Sequence, residues 1–440
     1  MIDKTRFQNR TVAFYTLGCK LNFSETSTMA RSIENAGFKR IPFGQKAGIY
    51  VINTCSVTGT AEKKCRRVIK KALLTNPEAF VVVTGCFAQL KPHAILEIEG
   101  VDLVLGSNEK FDIAQYLSTT EKKQNGRVHV AKINKVDQFR PSFSSGDRTR
   151  TFLKVQDGCD YYCSYCTIPF ARGKSRNATI TESVNSAREA ALKGAKEIIL
   201  TGVNIGDFGK STGDSFLDLL KALDDVEEVQ RFRISSVEPD LLSEDIIRFV
   251  ASSKRFMPHF HIPLQAGSDN VLKLMRRKYD THLFKKRIDT IRKLLPDAFI
   301  GVDVIAGVRG ETLKDFQDSV RLLENSEVSE LHVFTYSERP GTKALEIKDN
   351  VPHIERKRRS DILHQLSDKK KELFYNMFKG AVAKVLFEGH SSDGMITGYT
   401  PNYLKVAHSY CEEFANNIVP IKLGECNRDN YFYGEVAHSK

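Results

Sequence analysis

The chain has no apolar run near the roughly 18–20 residues that span a bilayer, so a membrane-spanning segment is excluded. Its first residues, Met-Ile-Asp-Lys-Thr-Arg-Phe, lack the basic and then apolar plan of a secretory signal, and a cytoplasmic protein is expected. Cysteine is scarce: nine in 440 residues is too sparse for a disulfide scaffold. An odd number of thiols in a reducing compartment points instead to metal, cluster or catalytic roles. There is no internal repeat and no low-complexity tract. No Gly-x-Gly-x-x-Gly opens a helix, so the glycines carry no dinucleotide-binding claim. Nothing suggests a coiled coil, and a monomer is expected.

What is present is ordinary in amount and uneven in placement. Hydrophobic residues make up 41%, enough to bury real cores, and the length suits about three domains. Lys+Arg total 66 against 54 Asp+Glu, a net +12 that hints at a nucleic-acid partner. Residues 1–117 alternate short apolar runs with helical stretches, as a parallel α/β sheet does. Residues 118–150 lose apolar periodicity and read as a linker. From 151 to 379 six further strand-like runs alternate with helices, ending in a charged helix. Six units fall short of the eight of a closed barrel, so a partial (β/α)6 barrel is expected. Residues 380–440 hold short, evenly spaced strands with turn residues between them, the pattern of a small all-β barrel.

Six of the cysteines fall into two sets of three. Cys159, Cys163 and Cys166 form C-x3-C-x2-C just after the first strand of the central domain. A loop can aim three such thiols at one inorganic centre. Closed structural zinc takes four ligands, and no fourth Cys or His stands close by. Three thiols on an iron–sulfur cubane leave one iron open for a small-molecule ligand. A zinc knuckle borrowing a distant ligand, or plain buried thiols, are the alternatives. Cys19, Cys55 and Cys86 are far apart in sequence, yet each follows the C-terminal end of a strand-like run. Ligands of open α/β sheets bind beyond those ends, so the three loops should converge on a second centre. Singly, each would pass for a small buried residue. Cys65, Cys411 and Cys426 have no such pattern and read as structural.

The residues from Cys159 to Cys166, Cys-Asp-Tyr-Tyr-Cys-Ser-Tyr-Cys, resemble the radical S-adenosylmethionine signature. The run Val155 to Gly173 around them is similar to the methylthiotransferase family. Thr16-Leu17-Gly18-Cys19-Lys20-Leu21-Asn22, Asn53-Thr54-Cys55 and Thr84-Gly85-Cys86 agree with that family's N-terminal motifs. The C-terminal barrel resembles its TRAM domain. Lys20-Leu21-Asn22 after the first cysteine and the short Arg172-Gly173-Lys174-Ser175-Arg176 resemble the group that acts on threonylcarbamoyladenosine. The isopentenyladenosine group usually carries Gln and Met after that cysteine, and the ribosomal-protein group Pro-Lys-Asn. The chain departs from the family pattern at Asn177, where Ser is common, and at Val308-Arg309, where Phe-Pro is expected.

The resemblance implies a transferase that adds a methylthio group to C2 of N6-threonylcarbamoyladenosine beside the tRNA anticodon. It implies two 4Fe–4S clusters, on Cys159/Cys163/Cys166 and on Cys19/Cys55/Cys86, and two S-adenosylmethionine molecules. An external electron donor and a sulfur source would be needed. Tyr165, Gly202, Asn204, Ser235, Ser236, Glu238, Gln265 and Asp303, in the signature or at strand ends of the partial barrel, are the expected cofactor contacts. Arg172, Lys174, Arg176, Arg276, Arg277 and Tyr399 are the expected RNA contacts, phosphates first. An arginine near the radical cluster should meet the threonyl carboxylate. Basic runs at Arg356-Lys357-Arg358-Arg359 and Lys369-Lys370-Lys371 read equally as a solvated helix face. The alternatives are methylthiolation of isopentenyladenosine in tRNA or of a ribosomal aspartate and, from another class, a non-catalytic zinc-containing RNA-binding protein.

Overall fold

Strands covered on both faces need apolar residues at every position, and the first hundred residues supply them. A computed structural model describes residues 10–56, 59–119, 126–146, 149–427 and 431–437. β1 (Thr11–Thr16), β2 (Lys39–Arg40), β3 (Ile49–Thr54), β4 (Phe80–Gly85), β5 (Leu103–Leu105) and β6 (Arg127–His129) form one sheet in the order β2-β1-β3-β4-β5-β6, every pairing parallel. Five helices connect them: α1 (Lys20–Asn35), α2 (Gly59–Thr75), the short α3 (Cys86–Leu90) and α4 (Pro92–Leu96), and α5 (Ile113–Thr119). Alternation splits the strands between two cores. Val81 and Val83 pack with Cys65, Val68 and Ile69 of α2, while Phe80 and Val82 pack with Met29 and Ile33 of α1.

The stretch expected as a linker does structural work at both of its ends. Arg127–His129 is β6, and β7 (Ser142–Phe143) pairs antiparallel with β8 (Arg150–Lys154) of the next sheet. Such two- and three-residue strands carry no periodicity to read.

The central domain continues with β9 (Gln156–Asp157), α6 (Ile168–Arg172), β10 (Arg176–Asn177), α7 (Ile180–Leu192), β11 (Glu197–Thr201), α8 (Phe216–Asp224), β12 (Arg231–Ile234), α9 (Glu244–Ser252), β13 (His259–Gln265), α10 (Asp269–Leu274), α11 (Thr281–Leu294), β14 (Phe299–Ala306), α12 (Leu313–Glu324), β15 (Glu330–Thr335) and α13 (His353–Asn376). β8, β11 and β12 are parallel neighbours, as are β13, β14 and β15. Parallel bridges Phe232–Phe256 and Ser236–His261 join the two triplets into one arc of six strands. This is the expected partial barrel.

β16 (Val382–Ser392), β17 (Met395–Tyr399), β18 (Lys405–Ser409), β19 (Ile418–Cys426) and β20 (Phe432–Val436) close the C-terminal barrel in the order β16-β17-β18-β20-β19. β19 is not legible from the sequence, because Pro420 and Gly424 interrupt it. Tyr403 sits at φ +64° in the turn before β18. Phe374 and Tyr375 of α13 and Phe299 of β14 share the barrel's core, which fixes the barrel against the central domain.

Candidate functional site

The sheet register brings the first cysteine triad together. Thr16 pairs with Asn53, Asn53 with Thr84, and Thr54 with Gly85, so Cys55 and Cys86 leave adjacent strands at one level. Cys19 is the N-cap of α1, where the helix N-terminus favours negative charge. The loops press against one another, and two glycines make this possible. A Cβ on Gly18, at φ +102°, would lie 2.8 Å from the Cys55 Cβ and 3.1 Å from its Sγ. On Gly85, at φ +96°, it would lie 2.4 Å from the Thr54 carbonyl oxygen. Asn22 Nδ2 donates to the Leu17 and Thr54 carbonyls at 2.7 and 3.1 Å, tying the first loop to the second.

The second triad is held by a clamp that motif reading missed. Gln156 Nε2 donates to the Gly158 carbonyl at 2.8 Å, and its Oε1 accepts from the Val203 and Asn204 amides, each at 2.9 Å. One side chain thereby joins the cysteine loop to the loop after β11. Gly158, at φ +72°, lies so near Lys174 that a Cβ would fall 1.9 Å from its carbonyl oxygen. The thiols receive donors: Tyr161 N to Cys159 at 3.5 Å, Ile168 N to Cys166 at 3.4 Å, and Arg277 Nη1 to Cys163 at 3.1 Å. Burial pushes the Cys159 and Cys166 thiols up to about 12. A bare thiolate is thus disfavoured there, and a cationic metal centre is what would keep these sulfurs ionised. Among the described residues no three His, Cys, Asp or Glu form a group placed to hold a single metal ion. Three thiols in each set, with donors aimed at the sulfurs of Cys159, Cys163 and Cys166, fit a cluster with one open position.

Among the described residues, two cavities adjoin the triads. One, of about 210 Å³, is lined by Tyr165, Cys166, Gln265, Asp303, Thr335 and Arg339 among others. The second, of about 470 Å³, occupies the barrel lumen beside Cys19 and is lined by Lys20, Arg150, Thr201, Gly202, Ser235, Ser236, His261 and Tyr403. His261 and Asp303, 2.7 Å apart, form the wall between them. The expected cofactor residues therefore divide. Tyr165, Gln265 and Asp303 face the first cavity, and Gly202, Ser235 and Ser236 the second. Asn204 is buried with its Oδ1 unpartnered among the described residues, and it lines neither cavity. Glu238 forms an ion pair with Arg277 instead of lining either cavity.

The expected RNA contacts need correction. Arg172 is 1% exposed, and its guanidinium donates to Glu25 Oε1 and Oε2 at 3.0 Å, to Asp157 at 2.9 Å and to Asn22 at 2.7 Å. Arg176 is also buried and bonds Asp157 at 3.1 Å. Lys110 and Lys154 complete the network on Glu25. These cations join the N-terminal and central domains and cannot reach a phosphate. Arg277 is held by Glu238 and Cys163. Tyr399 stacks on Tyr403, ring centroids 4.8 Å apart, under the Arg150 guanidinium at 4.3 Å, and so belongs to the seam between barrel and central domain. Lys174 and Arg276 alone of the six are exposed.

The departures from the family pattern are locally satisfied. Asn177 accepts from Ser211 Oγ at 2.7 Å and donates to Thr212 Oγ1 at 3.1 Å. Val308 is buried, and Arg309 bonds Glu338 at 2.9 Å and the Ile347 carbonyl at 2.9 Å. Lys20 is a residue that reading by motif left without a role. Burial pushes its ammonium down, with Tyr403, Arg150, Arg233 and Asp303 around it. It makes no ion pair with a described residue.

Comparison with known proteins agrees with this architecture. Residues 11–106 match the model of the uncharacterized protein family UPF0004, and residues 153–323 that of the radical SAM superfamily. The chain is 38% identical over 423 residues to the threonylcarbamoyladenosine tRNA methylthiotransferase MtaB of Bacillus subtilis, covering 94% of this chain and 93% of that one. Identity to the MtaB of Thermotoga maritima is 38% over 411 residues, covering 93% and 92%. The tRNA-2-methylthio-N(6)-dimethylallyladenosine synthase of Endomicrobium trichonymphae is 30% identical over 428 residues, covering 96% and 99%. Among solved structures, the radical S-adenosylmethionine methyltransferase TsrM of Kitasatospora setae shares the fold at TM-score 0.57 and 15% identity, covering 77% of each chain. Among the described residues no helix is long and apolar enough to cross a membrane.

Proposed function

The chain belongs to the radical S-adenosylmethionine methylthiotransferase family, and from that premise we propose that it converts N6-threonylcarbamoyladenosine beside the tRNA anticodon into its 2-methylthio derivative. The observation that carries the reading is the pair of thiol triads opening onto two cavities that share the His261–Asp303 wall. On this reading a single base held at that wall would lie between the two centres. When bound, two 4Fe–4S clusters and S-adenosylmethionine supply the one-electron chemistry and the methylthio sulfur that an adenine C–H, lacking an acidic proton, demands. Cys159, Cys163 and Cys166 would hold one cluster, and Cys19, Cys55 and Cys86 the other. An external electron donor and a sulfur source complete the turnover of a cytoplasmic monomer.

This chain's own residues bind and orient. Arg277 donates to the Cys163 sulfur and Gln156 keeps the two cofactor-facing loops in register. Threonylcarbamoyl differs from isopentenyl by an anionic carboxylate, and Lys20, a cation that makes no ion pair with a described residue, lines the lumen. Arg150, by contrast, is already paired with Glu388 at 3.0 Å, and Arg233 with Glu197 at 2.8 Å. We assign the carboxylate contact to Lys20.

A charged hydrogen bond of about 1.5–3 kcal/mol corresponds to roughly a 10- to 150-fold change. Lys20→Met should lower kcat/KM on threonylcarbamoyladenosine tRNA by about that factor, with Lys20→Arg recovering part of it. Iron content checks that the adjacent site is intact. An unchanged kcat/KM in Lys20→Met removes Lys20 from substrate recognition.

A further inference from the structure

The helix that follows the Cys55 loop has an uncompensated outer face. α2 buries Cys65, Val68, Ile69 and Ala72 against the sheet. Its other side presents Lys63, Lys64, Arg66, Arg67, Lys70 and Lys71, all exposed. None of these side chains makes a hydrogen bond or ion pair with a described residue. Glu62 is the one acid in the helix, and it is drawn away into pairs with Lys91 at 3.3 Å and with Arg339. The spacing sets like charges together: Lys63 and Arg67, Arg66 and Lys70, and Arg67 and Lys71 are each four residues apart on one face, an arrangement that works against an isolated helix.

The same molecule provides a contrast in α13, whose sequence looks as basic. There Arg356 pairs with Glu338, Lys357 with Asp361, Arg358 with Glu355, Arg359 with Glu311, and Lys371 with Glu330. Lys370 is taken up by the Glu324 and Ser326 carbonyls. That helix pairs most of its cations with acids, Lys357 and Arg358 on its own exposed face and Arg356, Arg359 and Lys371 against other elements, and leaves Lys369 exposed. α2 leaves its own facing outward.

Placement supplies the second observation. The Glu62–Arg339 pair holds the start of α2 against Arg339, which lines the cavity beside Cys166. The start of the basic helix therefore lies beside that cavity. We propose that the outer face of α2 binds the phosphate backbone of tRNA next to the nucleotide being modified. The proposal rests on the reading that the substrate is tRNA. A backbone track of this kind contributes affinity and orientation and no base specificity.

The test is the salt dependence of tRNA binding by the cluster-loaded protein. An unmodified tRNA transcript is titrated, by fluorescence anisotropy, with wild type, with Lys63→Gln/Arg67→Gln/Lys70→Gln and with Lys357→Gln/Arg358→Gln. Each lost phosphate contact lowers the slope of log K against log salt by about 0.7–0.9. The α2 variant should lose about 2–3 from that slope and bind at least about tenfold more weakly near 0.1 M salt. The α13 variant should match wild type, and all three should share iron content and thermal midpoint. An α2 slope equal to wild type, or an equal loss in the α13 variant, overturns the proposal. Unchanged RNA binding together with slower reduction by an acidic electron-carrier protein also overturns it, and gives the face to that donor. If wild type itself binds tRNA without salt dependence, the tRNA reading fails rather than the placement on α2.

Discussion

Arg172→Ala is expected to destabilise the folded chain by about 3–5 kcal/mol, the largest loss of any single side chain described above. Truncating it removes four hydrogen bonds to Glu25, Asp157 and Asn22 and leaves a cavity where a fully buried side chain stood, while Lys110, Lys154 and Arg176 still face the two carboxylates. Two acids face four cations in this network: Lys110, Lys154, Arg172 and Arg176. The effect is read as the urea midpoint by circular dichroism. It should be accompanied by loosening between the N-terminal and central domains, seen as faster amide exchange in α1 and α6. A mere RNA-contact role predicts wild-type stability instead. The network also has a pH signature. Burial alone would raise the Glu25 carboxyl, but Arg172, Lys110 and Lys154 outweigh it and hold the group well below its usual range. A depressed carboxyl stabilises the fold above its unfolded pKa, about 4.3, and that contribution is lost as pH falls further. Arg172→Ala should therefore flatten the acid limb of the stability profile.

Cys19→Ala is expected to abolish methylthio transfer and to halve the iron. Two 4Fe–4S clusters hold about eight irons, and loss of one triad member should leave about four. Cys163→Ala should also leave about four, and the double variant almost none. The informative difference lies in the cofactor. Cys19→Ala should still cleave S-adenosylmethionine to 5′-deoxyadenosine under reductant, and Cys163→Ala should not. Cys65→Ala is the control: Cys65 is fully buried in the apolar face of α2 and should leave the iron unchanged. Full iron retention in Cys19→Ala would remove the second cluster.

Both triads were legible in the sequence, for a reason of topology. Thiols at the carboxyl ends of neighbouring parallel strands have to meet, and β1, β3 and β4 are neighbours. The C-x3-C-x2-C loop needed only its own spacing. What was not legible was which cations are exposed. Arg172 sits beside the radical motif and looks available, but its partner Glu25 lies 147 positions away and only the domain contact brings them together. α2 holds one acid, whereas α13 carries Glu355 and Asp361 beside its own Arg358 and Lys357, a difference the sequence shows. The acids that take up Arg356, Arg359 and Lys371 come from β15, the loop after it and the loop before α12, and only the fold brings them there. Lys20 stood in a motif already singled out, and what gives it a role is the lumen around it. Tyr399 failed as an exposed RNA platform because aromatics of a small barrel serve its seam with a larger domain as readily as its open surface.

The most direct test of the central claim is nucleoside mass spectrometry after anaerobic reaction. The cluster-loaded protein, a reductant and S-adenosylmethionine are incubated with tRNA bearing N6-threonylcarbamoyladenosine and, in parallel, with tRNA bearing isopentenyladenosine. The expected result is 2-methylthio-N6-threonylcarbamoyladenosine from the first and no methylthio product from the second. Product from isopentenyladenosine alone would contradict the substrate assignment, and 5′-deoxyadenosine with neither product would contradict a tRNA substrate altogether.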